Sequence, residues 1–337
     1  MNVLENQSIV RKDNISVEFF YKNVHKSFNI NLLSEKVGMD RKINDQNLHR
    51  PGLALAGFVD LFSYSRIQLF GNTEKKYLEQ LSKSERIKAV KRLMEFPIPC
   101  VIFSDGNKPE KEIIEMANDH GIPLFGSKFK TTKVAYLISD FLDDQFAPRL
   151  SLHGSFLDVY GVGMLFIGKS GIGKSEVALD LVERGHRLVA DDVVILTKKG
   201  EGILIGSGTD TIKHFMEIRG IGIIDVRSMF GIRSIRFQKR LEIVVELEIW
   251  NKDYEYTRTG LDESTVNING VDIPYIKLPI VPGKNITVIS ESVALHYMLK
   301  HYGYNAAEKL KRQIKRKIKK KSSEINRTID YFEHDFE

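Results

Sequence analysis

Residues 163–184 read GMLFIGKSGIGKSEVALDLVER. The short apolar run Gly163–Ile167 leads into Gly168-Lys169-Ser170-Gly171-Ile172-Gly173-Lys174-Ser175, and Glu176–Arg184 follows with helical spacing until Gly185 stops it. The eight middle residues satisfy G-x-x-x-x-G-K-[ST] at every fixed position. Strand, glycine loop, lysine and helix come in the order that phosphate binding needs. Glycines let backbone N–H groups converge on phosphate oxygens, and the helix N-terminus adds partial positive charge. In such a loop Lys174 reaches the β- and γ-phosphates and the Ser175 hydroxyl ligates Mg²⁺.

Downstream, residues 188–196 read LVADDVVIL, an apolar strand interrupted by Asp191 and Asp192. Only fifteen residues separate Ser175 from Asp191, room for one short helix and a tight return. That spacing fits a compact kinase-like module better than a GTPase or a motor. Successive strand side chains alternate between faces, so one carboxylate is expected to point into the phosphate site and the other elsewhere, unless a bulge turns them together. Nearby negative charge raises a carboxylate pKa, which equips the inward one to take a hydroxyl proton as a general base.

With 337 residues, two domains are expected. The longest run free of Asp, Glu, Lys and Arg, Val159–Gly168, is ten residues, about half of what a spanning helix requires. A single cysteine, Cys100, excludes an internal disulfide and a cysteine-based zinc site. With no signal-peptide pattern at Met1–Asp13, it points to the cytoplasm. The fold class is α/β. The first part mixes strand readings at Ile15–Phe20 and Pro97–Phe103 with helix readings from an N-cap at Thr73 and over Pro109–His120. No polar constellation there suggests chemistry, so it is read as a structural or assembly domain. A helical stretch over Thr131–Gln145 ends before Ala147-Pro148, where a linker is read. The domain limits expected are 1–132 for the assembly domain, 133–304 for the phosphate-loop domain, and 305–337 for a basic helix and tail. Net charge is +6, yet Lys309–Lys321 (KLKRQIKRKIKKK) alone holds nine Lys/Arg and no acid, leaving −3 for the rest. The basic balance is one segment. Nucleic acid is therefore an unexpected partner, and no membrane partner is expected.

Several stretches together resemble the HPr kinase/phosphorylase family: His153-Gly154, Asp158-Val159-Tyr160-Gly161, the phosphate loop with Glu176, Arg184–Asp192, and residues 216–225, MEIRGIGIID. In the first domain Arg50–Leu53, Gln68–Gly71 and Thr73-Glu74 also look like the family. The resemblance implies an N-terminal α/β domain and a P-loop kinase domain of the compact, phosphoenolpyruvate-carboxykinase-like type. It implies a homo-hexamer that phosphorylates a serine of HPr, the phosphocarrier of the sugar phosphotransferase system, and in reverse uses inorganic phosphate to release pyrophosphate, regulating carbon metabolism. By matching residues, Gly168–Ser175 would bind ATP and Ser175 and Glu217 would ligate Mg²⁺. Asp192 would accept the proton in phosphorylation and return it in reverse, and His153, Lys174 and Arg258 would be catalytic. Pro279–Lys284 (PIVPGK) matches a loop associated with dephosphorylation. Lys169 stands where the family has an acidic residue, and Val281 where it has an Arg. Two other classes stay open on residues alone: a small-metabolite P-loop kinase, and a nucleic-acid-binding regulator suggested by the basic run.

Overall fold

Helix Thr131–Phe146 decides where the first domain ends. Its Val134, Ile138, Leu142 and Phe146, four apart on one face, enter the same core as Val17, Phe20, Ile67, Leu69 and Phe125. The computed structural model describes residues 9–200, 202–209, 211–251, 264–281 and 283–323. Its contacts define one unit over Val10–Arg149 and a second that joins Ile9 to the chain from Leu150 onward. The limit expected at 132/133 thus moves to 149/150, close to the Ala147-Pro148 linker, because the helix is amphipathic toward the first unit's core. Among the described residues, no helix is long and apolar enough to cross a membrane.

In the first unit a five-stranded sheet runs in the order Ile30–Leu32, Leu124–Ser127, Val101–Phe103, Ile67–Phe70, Leu48–His49. The last four are parallel and the first is antiparallel to its neighbour. Strand alternation sends Ile67, Leu69, Ile102 and Phe125 to one face, under helices Val17–Val24 and Thr131–Phe146. It sends Phe70, Val101, Phe103 and Leu124 to the other, under Asn72–Gln80, Lys83–Met94 and Lys111–Asp119. Parallel strands covered by helices on both faces make this an α/β layer structure.

Local readings of this unit shift in three places. The strand expected over Ile15–Phe20 lasts two residues. Ser16 then caps a helix, accepting from the Phe19 N–H at 3.1 Å, and the buried Val17, Phe20 and Val24 follow helical spacing. The N-cap moves from Thr73 to Gly71, whose N–H donates to Glu74 Oε2 at 2.9 Å. The strand expected over Pro97–Phe103 narrows to Val101–Phe103. Cys100 is fully buried, and burial pushes its thiol well above the ordinary range. The native protein is therefore expected to resist an aromatic disulfide reagent and to release one equivalent of thiol only in denaturant; rapid labelling of the native chain would contradict this burial.

The second unit is built on two sheets. One runs in the order Arg187–Ala190, Ser155–Val159, Val162–Gly168, Ile243–Ile249, Val271–Ile280, Ser264–Ile268. Strand Val162–Gly168, which leads into the glycine loop, lies antiparallel to Ser155–Val159 and parallel to Ile243–Ile249. The other sheet runs through Arg149–His153, Val193–Lys199, Ile203–Ser207 and Gln238–Arg240. Leu165 and Ile167 pack into a core with Leu152, Phe156, Val194 and Leu204, from strands of both sheets. Met164 and Phe166, on the opposite face, pack with Ala178, Leu181 and Ala294 of helices Lys174–Glu183 and Ile286–His301. Glu291 fastens those helices. Both Arg184 Nε and Nη2 donate to its carboxylate, at 3.0 and 2.7 Å, and His186 Nε2 lies 3.0 Å from Oε1.

Candidate active site

The apolar run 188–196 is two strands and not one. Arg187–Ala190 belongs to the first sheet of the second unit, and Val193–Lys199 to the second. The chain changes sheets at Asp191-Asp192, and Asp192 makes the corner in the left-handed region, φ +64°. A second crossing runs alongside it, from Arg149–His153 through Gly154 to Ser155–Val159. The two are joined where the Gly154 N–H donates to the Asp192 carbonyl at 3.2 Å. A Cβ at Gly154 would lie 2.5 Å from the Phe166 carbonyl oxygen, so only glycine permits this approach.

The corner separates the fates of the two carboxylates. Asp191 is buried, and Ser155 Oγ donates to its Oδ1 at 2.5 Å. Burial raises its pKa, opposed by the hydroxyls of Ser155 and Ser175. Its other oxygen, Oδ2, is buried without a hydrogen-bond partner. Asp192 turns outward, and its Oδ1 lies 2.9 Å from His153 Nδ1, with both side chains about half exposed. The inward carboxylate is therefore Asp191, while the one a large substrate can reach is Asp192. Alternation along a continuous strand would have predicted opposite faces; a sheet-switching corner brings both close enough to act on the charge of Lys174.

The loop itself folds as its glycines require. Gly168 leaves its strand at φ +144°, where a Cβ would meet the Leu247 carbonyl at 2.4 Å. Helix Lys174–Glu183 starts at Gly173. Lys174 is buried, and its Nζ donates to the carbonyls of Gly168 and Lys169, each at 3.2 Å, folding the side chain back across the loop. Burial lowers its pKa, against the pull of Asp191, Asp192 and Glu176, and Arg219 lowers it further. Residues Gly168, Lys169, Ser170, Gly171, Ile172, Gly173, Lys174 and Ser175 thus form one loop and helix start, with His153, Asp191 and Asp192 at the adjoining corner.

Glu217 is placed differently. It lies on the hairpin Phe215–Ile218/Gly222–Asp225, opposite Ile223, on the face that leaves both residues exposed. Met216, Ile218 and Ile224, on the other face, are buried in the core that holds helix Lys174–Glu183. Among the described residues, no three His, Cys, Asp or Glu side chains gather as a metal cluster. Arg258 lies outside the described residues. So does Pro282 of the 279–284 loop, whose Lys284 N–H donates to Val281 O at 3.1 Å.

Ser155 and Arg219, near the loop, carry no role in the sequence reading, and spacing alone gave the base's role to whichever aspartate points inward, which is Asp191. Asp191 was visible as half of the Asp pair, but alternation alone could not say which half is buried. Ser155 gave no signal, because its partner Asp191 is 36 residues away. Arg219 stands in the MEIRG stretch without an assigned task. Its guanidinium lies against Gly171, where a Cβ would come within 2.7 Å of Nη2 and 2.8 Å of Nη1, and it acts on the charge of Lys174.

The family described as HPr Serine kinase N terminus matches residues 15–142, and HPr Serine kinase C-terminal domain matches residues 144–314. The HPr kinase/phosphorylase of Chloroherpeton thalassium is 54% identical over 97% of this chain and 98% of that protein. The protein of the same name from Prosthecochloris aestuarii is 53% identical over 94% of each. A solved structure, the Hpr(Ser) kinase/phosphatase from Coxiella burnetii, is 34% identical, with a TM-score of 0.43 over 48% of this chain and 97% of that one.

Proposed function

The chain belongs to the HPr kinase/phosphorylase family of serine kinases, and on that premise we propose that it phosphorylates a serine of HPr with ATP and, in reverse, releases that phosphoryl group to inorganic phosphate as pyrophosphate. One observation carries the reading. A phosphate loop with its lysine in place adjoins an exposed Asp192–His153 pair, the arrangement needed to serve a bound nucleotide and a protein alcohol at once. A small-molecule kinase would be expected to enclose its acceptor, whereas this carboxylate is open to a large partner.

In the forward direction the loop amides and Lys174 hold the nucleotide phosphates. Asp192 accepts the proton of the incoming serine hydroxyl, and His153, bonded to its Oδ1, fixes the carboxylate. The serine oxygen forms a bond to the γ-phosphorus as the bond to the β-phosphate oxygen breaks. Arg219, at the loop, faces charge that spreads over the equatorial oxygens. In reverse, a phosphate oxygen attacks the phosphoserine phosphorus, Asp192 returns its proton to the departing serine oxygen, and pyrophosphate leaves. Microscopic reversibility assigns one set of residues to both directions.

The site also suits Mg²⁺. The unpartnered Asp191 Oδ2 is a hard oxygen in the neighbourhood of the Ser175 hydroxyl, and magnesium needs only one or two carboxylates beside water and phosphate oxygens. Ser175 and Asp191 would hold it, with Glu217 as the resemblance implies. There the ion would neutralise phosphate charge. Arg258 is proposed as a further clamp on the same charge. The compact phosphoenolpyruvate-carboxykinase-like type of P-loop, a hexamer assembled through the first domain, a cytosolic location and regulation of carbon metabolism through the phosphotransferase system complete the proposal.

The test is direct. The purified chain is incubated with HPr, ATP and Mg²⁺ and scored for phosphoserine. Excess phosphate is then added and pyrophosphate is measured. Absence of phosphoserine would overturn the proposal; phosphoserine without pyrophosphate would remove its reverse half. Arg219→Ala is expected to lower kcat in both directions by about 10²-fold, while nucleotide affinity, measured by calorimetry, changes far less. A loss confined to affinity would make Arg219 a binding group only.

A further inference from the structure

Three consecutive residues grip the aspartate corner. His153 Nδ1 lies 2.9 Å from Asp192 Oδ1, the Gly154 N–H donates to the Asp192 carbonyl at 3.2 Å, and Ser155 Oγ donates to Asp191 Oδ1 at 2.5 Å. The first two serve Asp192, and the third serves the buried carboxylate. Ser155 is itself wholly buried and pairs with Phe166, on the strand that runs into the glycine loop. Its strand meets Arg187–Ala190 on the other side, and there the register breaks. Asp158 pairs with Arg187 and Leu157 with Leu188, but Phe156 pairs with Ala190, so Val189 is an extra residue. Such a bulge re-aims the side chains beyond it. Continued in the first register, Ser155 would stand opposite Ala190; after the one-residue shift it stands opposite Asp191.

We propose that Ser155 is a positioning residue for the metal–nucleotide site: by occupying Asp191 Oδ1 it fixes the rotation of the carboxylate and reserves Oδ2 for the metal ion. This rests on the reading of Asp191 and Ser175 as Mg²⁺ ligands given above. A terminal carboxylate torsion is broad unless something holds it, and a short O–H···O⁻ bond is among the stronger holds. A hydroxyl placed only to satisfy a buried carboxylate would not explain why the second oxygen, equally buried, has no donor among the described residues. That oxygen belongs to a group within reach of the Ser175 hydroxyl, at the start of the helix that ends the loop. The bulge at Val189 is therefore part of the device, since it is what sets the serine across from this aspartate.

The experiment uses the full chain, with Mn²⁺ standing in for Mg²⁺ and a non-hydrolysable ATP analogue present. Bound Mn²⁺ is read from the electron paramagnetic resonance of the free ion, and the analogue's affinity in chelator is read by calorimetry. Ser155→Ala is expected to weaken Mn²⁺ binding by about 10–100-fold, the usual cost of losing a group that orients a metal ligand, with the metal-free affinity for the analogue unaltered. Asp191→Ala should weaken Mn²⁺ at least as much, and adding Ser155→Ala to it should cost nothing further, because the serine acts through that carboxylate. If Ser155→Ala does not fold, Ser155→Cys takes its place with the same expectations, since it fills the site with a much weaker donor. Three results would overturn the proposal: unaltered Mn²⁺ affinity in the folded serine variant, an equal loss of metal-free analogue binding, or losses that add in the double variant. If the unaltered chain binds no Mn²⁺ beside the analogue, the metal site fails and this inference with it. If it binds Mn²⁺ but forms no phosphoserine on HPr, the proposed function fails while the role of Ser155 stands.

Discussion

Asp192→Asn is expected to lower phosphoryl transfer to HPr by about 10²–10⁴-fold, the range a positioned general base contributes. Asparagine preserves the shape and can still meet His153, but it cannot accept the serine proton. Nucleotide should remain bound, because Asp192 points outward and Lys174 is held by the carbonyls of Gly168 and Lys169. Removing one negative charge from the surroundings of Lys174 would, if anything, favour the triphosphate. The reverse reaction should fall in parallel, since the same proton must return. The measurements are phosphoserine formation, pyrophosphate release and calorimetric nucleotide affinity on one preparation. Transfer near the unaltered rate would remove Asp192 from the mechanism, and a matching loss of nucleotide binding would make it a structural corner residue instead.

Lys174→Ala is expected to weaken nucleotide binding by about 10²-fold or more. Charge-assisted hydrogen bonds contribute roughly 1.5–3 kcal/mol each, every 1.4 kcal/mol is about tenfold, and the lysine would make more than one. Lys174 is largely desolvated before any ligand arrives, so little further desolvation opposes its contact with phosphate. Its loss also leaves the Gly168 and Lys169 carbonyls without their donor and takes from Asp191 a cation that acts on its charge. Lys174→Met separates these effects by keeping the aliphatic volume. Weak binding in a Met variant that melts normally would assign the loss to the ammonium group. Undiminished affinity in both variants would show that the nucleotide sits elsewhere.

The local readings that failed share a cause. Ile15–Phe20 alternates well enough for a strand, yet Ser16 caps a helix there, because Val17, Phe20 and Val24 also satisfy the longer period and find a core to fill. Two periods coexist in those six residues, and only the packing partner selects one. The first domain's end depends on packing in the same way. The spacing of Thr131–Phe146 shows an amphipathic helix but not which core its apolar face enters. Ser155 and Arg219 were hidden because a hydroxyl and a guanidinium acquire meaning only beside Asp191 and Gly171, each far away along the chain.

Residue type and spacing by themselves determined the glycine-lysine motif at 168–175, the single cysteine, the lack of any run free of charged residues longer than ten, the confinement of excess positive charge to residues 309–321, and the family. These are local or compositional properties, complete within a few turns of chain. Tertiary structure alone decided which aspartate is buried beside Ser155 and which meets His153. That choice depends on a change of sheets at residues 190–193 and on the Gly154–Asp192 hydrogen bond. A left-handed corner held by a strand nearly forty residues earlier has no local signature, because its energy comes from contacts that exist only after both sheets have formed.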